Sequence, residues 1–77
     1  MDLKDLVEYM AKTLVADPSQ VQVNVIEGAG SVTLELHVAP GDMGRVIGKS
    51  GRIANAMRTL VRVAAMRQGK RATLEIV

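Results

Sequence analysis

The sequence predicts an α+β domain whose elements run helix, strand, strand, helix, loop, helix, strand. Three observations predict it. Apolar residues recur at three- and four-residue spacing over 3–14 and again beyond residue 52, the repeat of a helix with one buried face. They alternate singly with polar residues over 21–25, 32–38 and 72–76, the repeat of a half-buried strand. Proline and glycine punctuate the joins at Pro18, Gly28, Gly30, Pro40-Gly41, Gly48, Gly51 and Gly69.

Leu3, Leu6, Val7, Met10 and Leu14 form the apolar stripe of the first helix. Asp2 is placed to cap it, Asp5 and Glu8 suit the positive end of its dipole, and Asp17-Pro18 stops it. Val21, Val23 and Val25 alternate with Gln22 and Asn24 as the first strand. The chain turns at Gly28-Ala29-Gly30-Ser31, which admits a hairpin but does not require one. Val32, Leu34, Leu36 and Val38 then alternate with Thr33, Glu35 and His37. Asp42 is placed to cap a short helix, Met43 to Ile47. A longer helix runs from about Arg52 to Gln68, with an apolar arc of Ile53, Ala56, Met57, Leu60 and Ala64 and a polar face of Asn55, Arg58 and Arg62. Gly69 ends it, and Ala72, Leu74 and Ile76 make the last strand.

Seventy-seven residues suffice for one domain, 1–77. The apolar content of 48% is almost entirely aliphatic, with one Tyr and no Phe or Trp. The absence of cysteine excludes a disulfide framework, a thiolate zinc site and a cysteine nucleophile. No secretory leader pattern opens the chain and no apolar run is long enough to span a bilayer, so a soluble, cytoplasmic protein is expected. The net charge of +2 conceals a division. Residues 1–42 hold two bases and seven acids, whereas residues 43–77 hold eight bases and Glu75 alone. Such polarity creates a local positive field that attracts polyanions, although a basic helix face also arises simply from solvation.

Gly48-Lys49-Ser50-Gly51 resolves that choice. Two glycines three apart join a one-turn helix to a long one. Glycine permits close backbone approach to a ligand, and the N-terminus of the following helix favours negative charge. Lys49 adds a point charge and Ser50 a hydroxyl donor, with Arg45 and Arg52 on either side. A plain turn needs one glycine and no cations. Like charges so crowded repel one another and call for an anion.

The run Val46-Ile47-Gly48-Lys49-Ser50-Gly51-Arg52-Ile53 resembles the signature of KH domains, whose G-x-x-G loop clamps the backbone of about four nucleotides. The element order, α-β-β-α-α-β, is similar to that of type II, the bacterial arrangement. The stretch from Val38 to Gly48 is similar to the KhpA family of small, single-domain bacterial RNA-binding proteins, and the resemblance covers the whole chain. It implies a three-stranded mixed sheet with three helices on one face. It also implies a groove floored by the last strand and walled by two helices and the loop, with Gln68-Gly69-Lys70-Arg71 as its lip. In that groove Val46 and Ile47 would give apolar contact, while Arg45, Lys49, Ser50 and Arg52 would meet phosphates beside Gly48 and Gly51. Lys70 and Arg71 would contribute from the lip. The implied partners are single-stranded RNA and either a second copy of the chain or a larger Jag-like (KhpB) KH protein. The implied roles are RNA chaperone or post-transcriptional regulator and, in some bacteria, cell-shape regulation. No cofactor or metal is implied.

Competing motifs fail on spacing. G-x-x-x-x-G-K-[ST] requires glycine at Met43, and G-x-G-x-x-G from Gly28 requires one at Thr33. Aromatic platforms of the RRM or OB type are excluded by composition, Tyr9 being the sole aromatic residue. A helix-turn-helix over 43–68 would leave the strands unexplained. His37, on a polar strand face with only Glu35 beside it, reads as a surface residue and not a catalytic one. Met10, Met43, Met57 and Met66 read as core filler. Arg58 and Arg62, pointing away from the apolar arc, are left outside the site. The rival to RNA binding is a protein-interaction module, and the two roles can coexist.

Overall fold

A computed structural model describes residues 1–77. Helix α1 spans Leu3–Leu14, strand β1 Gln22–Gly28, β2 Ser31–His37, helix α2 Met43–Ile47, α3 Arg52–Arg67 and β3 Arg71–Ile76. Short 3₁₀ turns at Pro18–Gln20, Pro40–Asp42 and Lys49–Gly51 connect them. The strands form one sheet in the order β1-β2-β3. β1 and β2 pair antiparallel, Gly28 opposite Ser31, so Ala29-Gly30 is a two-residue hairpin loop. β3 pairs parallel with β2, Leu34 beside Leu74, which makes the sheet mixed. A parallel neighbour needs a long crossover, and α2 with α3 supplies it.

Each element ends where its local chemistry requires. The Asp2 carboxylate accepts from the Asp5 N–H at 2.7 Å, capping α1. α3 closes with two backbone hydrogen bonds, Lys70 N–H to the Ala65 carbonyl at 2.9 Å and Gly69 N–H to that of Met66 at 3.1 Å. Asp42 departs from expectation. It stands at the N-cap position of α2 but makes no capping bond there. Its carboxylate accepts instead from the N–H groups of Ala16 and Asp17, at 3.0 and 3.1 Å, and so ties the exit of α1 to the entry of α2.

One sheet face is apolar. Val23, Val32, Leu34, Leu36 and Leu74 pack against Leu3, Val7 and Ala11 of α1 and Met57, Val61 and Ala65 of α3. α1 lies over β1 and β2 and α3 over β3, while α2 rests mainly on α3 and α1. The opposite face is polar, and His37 sits there 3.3 Å from the Asn24 amide.

The buried arc of α3 is rotated from the one the spacing predicts. Ala54, Met57, Val61 and Ala65 are buried, Ile53 and Ala64 partly so, and Ala56 and Leu60 are exposed. Met57 alone belongs fully to both arcs. The helix carries apolar residues around more than half its circumference, so hydropathy marks it as amphipathic without choosing which edge meets the sheet. Met66, expected in the core, is 70% exposed.

Substitutions of one residue type on this helix separate the two faces. Met57→Ala should cost roughly 2–5 kcal/mol in urea unfolding. Met66→Ala should stay within about 0.5 kcal/mol.

Candidate nucleic-acid interface

The loop begins where α2 stops. Gly48 N–H donates to the Gly44 carbonyl at 2.9 Å, completing the last helical turn, and the backbone then reverses. Gly48 adopts φ 74° and ψ 172°, a region essentially closed to side chains. A Cβ there would meet Ile53 Cγ1 at 2.7 Å, so the first turn of α3 fills the place where a side chain would stand. Ser50 (φ 57°, ψ 24°) and Gly51 (φ 75°, ψ 14°) follow in left-handed conformation. The short turn is held by Gly51 N–H donating to the Gly48 carbonyl at 3.1 Å. Backbone of this kind gathers N–H groups into a concavity that suits an anion. A serine held left-handed stores strain, which is tolerated where the surroundings over-determine the loop.

The side chains around this concavity are cationic. Lys49, Ser50 and Arg52 are exposed on the loop and the first turn of α3. Arg45, on α2, is 60% exposed and its Nε lies 3.2 Å from Asp42 Oδ1. Ile47 presents 38% of its surface beside the loop. Val46 does not belong to this surface. It is fully buried because the short α2 turns it inward, so its expected apolar contact with a ligand has no exposed surface to make it.

Beyond the loop α3 packs along β3, whose far edge is unpaired. Arg71 N–H bonds to Gly30 and Val77 N–H to Leu36, so alternate residues 71, 73, 75 and 77 direct their backbone towards β2. Leu74 therefore directs its N–H and C=O away from the sheet. Arg58 answers that carbonyl, with Nε donating at 3.3 Å, while its Nη1 donates to Asn55 Oδ1 at 3.2 Å. Further along, Arg62, Met66, Lys70, Arg71, Ala72 and Thr73 line one hollow. With a rise of 1.5 Å per residue, α3 sets the loop about 15 Å along the helix from Arg62 and about 21 Å from Met66.

The structure thus brings Arg45, Ile47, Gly48, Lys49, Ser50, Gly51 and Arg52 together at the N-terminal end of α3, while Lys70 and Arg71 follow its C-terminal end. It also places Asn55 against Arg58 and sets Arg62 beside β3, the two arginines being left outside the site on sequence grounds as facing away from the apolar arc. That placement followed from the wrong arc. Once the true buried arc is Ala54-Met57-Val61-Ala65, the three polar residues border the edge strand. The repeat of Asn55, Arg58 and Arg62 at three- and four-residue spacing was the available signal.

Comparison with known proteins adds the following. The model of the KH domain of KhpA/KhpB matches residues 4–76. RNA-binding protein KhpA of Clostridium acetobutylicum is 52% identical over 75 residues, covering 97% of this chain and 100% of that protein. RNA-binding protein KhpA of Caldanaerobacter subterraneus is 55% identical over 73 residues, covering 95% of this chain and 97% of that protein. Among solved structures, Aquifex aeolicus Era bound to GDP and AlF4⁻ superposes with a TM-score of 0.67 at 20% identity, over 96% of this chain and 29% of that one. Era in complex with MgGDPNP and a segment of 16S ribosomal RNA superposes with a TM-score of 0.66, also at 20% identity, over 96% of this chain and 28% of that one. These two likenesses establish the fold, a type II KH arrangement. No helix is long and apolar enough to cross a membrane.

The two loop glycines should differ in tolerance. Gly51→Ala meets only Asn55 Nδ2, at an ordinary contact distance of 3.8 Å, and carries left-handed strain of about 1 kcal/mol. Gly48→Ala adds the Ile53 collision and should lower the thermal midpoint by several degrees more, read by circular dichroism.

Proposed function

The chain belongs to the KhpA/KhpB KH-domain family, and from that premise we propose that it binds RNA, gripping a single-stranded stretch of about four nucleotides. One observation carries this reading: the left-handed loop at Gly48–Gly51 is ringed by Arg45, Lys49 and Arg52, and further cations follow from Arg58 and Arg62 on α3 to Lys70 and Arg71. Arg45, Lys49, Ser50 and Arg52 take the phosphates together with the backbone at Gly48 and Gly51. Ile47 offers aliphatic surface to a base. Arg58, which holds the outward carbonyl of Leu74, lies where base edges pass, and Lys70 and Arg71 steady the far end. Aliphatic walls and backbone groups do the work that aromatic platforms do in other RNA modules. The role that follows is that of a cytoplasmic RNA chaperone or post-transcriptional regulator.

A second surface supports pairing with another KH chain. Tyr9 and Leu60 are exposed, at 65% and 53%, and with Met10, Ile53 and Ala56 they line an apolar hollow between α1 and α3. The occupant is a second copy or the larger KhpB protein. A single four-nucleotide grip is weak, and two linked grips raise effective affinity without new contacts.

Lys49→Asp combined with Ser50→Asp should abolish binding of labelled single-stranded RNA in an anisotropy titration. The fold should change by no more than about 0.5 kcal/mol. Binding by the parent should weaken steeply with salt, as counterion release requires. A double variant that binds as well as the parent would sink the loop as the site. Leu60→Asp should convert any dimer to monomer in sedimentation while leaving the circular dichroism unchanged.

A further inference from the structure

Asp42 is the one charged side chain buried in the fold, 3% exposed. Burying a carboxylate is unfavourable unless donors replace its water. Two donors are backbone N–H groups, those of Ala16 to Oδ1 and Asp17 to Oδ2, just past the end of α1. The third partner is Arg45, whose Nε lies 3.2 Å from Oδ1. The ion pair is made at Nε, and the arginine side chain remains 60% exposed. Residues 42, 45 and 48 follow one another at three-residue spacing, on the face of α2 that runs into the loop.

We propose that Asp42 is a positioning residue for the phosphate clamp: it holds Arg45 by Nε so that the Nη1–Nη2 edge is presented to an RNA phosphate as a preset fork. An unrestrained arginine loses rotamer freedom when it binds, and an arginine already held loses less. The buried carboxylate is itself fixed by the Ala16 and Asp17 amides, so the restraint is anchored in the backbone of α1 and not in another mobile side chain. The inference rests on the RNA reading of the loop and goes beyond it, because Asp42 touches no RNA. It also runs against simple electrostatics. A carboxylate beside a phosphate site repels the ligand, and Asp42→Asn raises the net charge from +2 to +3. If Asp42 served the fold alone, removing its charge would leave RNA affinity unchanged or improve it.

The test is an anisotropy titration of labelled random-sequence single-stranded RNA against the parent, Asp42→Asn, Arg45→Ala and the double variant. It is run below the melting temperature of each protein. Asp42→Asn should weaken binding by about threefold to tenfold despite the added charge. In the Arg45→Ala background it should have no further effect. Asp42→Asn binding as tightly as the parent, or weakening binding equally in both backgrounds, overturns the proposal and leaves the RNA reading intact. A parent that binds no RNA overturns both. Should Asp42→Asn fail to fold, Arg45→Lys decides: it keeps the charge beside Asp42 but has no fork. A loss of about threefold or more supports the preset fork, and unchanged binding overturns it.

Discussion

The backbone reversal at Gly48 is the constraint on which the remaining geometry depends. Within a few residues α2 must end, the chain must turn back, and α3 must start in a direction that lays it over β3. At φ 74° and ψ 172°, with Ile53 occupying the place of a Cβ, Gly48 accomplishes the turn and packs α3 against the turn at once. The same reversal leaves Ser50 and Gly51 left-handed and turns the loop backbone outward. A tight join between helices and an anion-shaped concavity are therefore one feature, and neither can be altered without the other.

The core that supports this reversal is aliphatic and compact. Leu34 and Leu36 of the central strand are fully buried between α1 and α3, and Val7, Val46 and Val61 complete the set of fully buried larger side chains. A thin core cannot cover every edge. β3 is left with one side unpaired, and an unpaired strand edge invites pairing with another chain. Here the edge is occupied chemically: Arg58 satisfies the Leu74 carbonyl, and Arg62, Lys70 and Arg71 surround the rest with charge. Cations that discourage strand addition also attract a polyanion, so the side chains that protect the edge are the ones the proposed RNA contact would use.

Charge division in the sequence becomes a division in space through the same topology. The acids of residues 1–42 lie on α1, β1, β2 and the segments that flank them, while the bases gather on α2, α3, the loop and the start of β3. Asp42 stands at the seam. It is the last acid before the basic half, and burial turns it from a surface charge into a fixture joining α1 to α2 and Arg45.

By itself the sequence determined the order of elements, their approximate limits, the apolar face of the sheet and the loop at Gly48–Gly51. Those features are written in periods of two and 3.6 residues, in caps such as Asp2 and Gly69, and in glycine spacing, all of which act between near neighbours in the chain. Tertiary structure decided the hairpin at Ala29-Gly30 and the parallel partnership of β2 and β3, because pairing is a relation between distant segments. It decided which arc of α3 is buried, since a helix apolar on several sides is oriented only by the sheet it meets. With that rotation Met66 moved to the surface and Arg58 against the edge of β3. Val46 turned inward, and Asp42 gave up a local cap for two amides 25 and 26 residues away. Local periodicity cannot anticipate such partners, because their proximity exists only once the chain has folded.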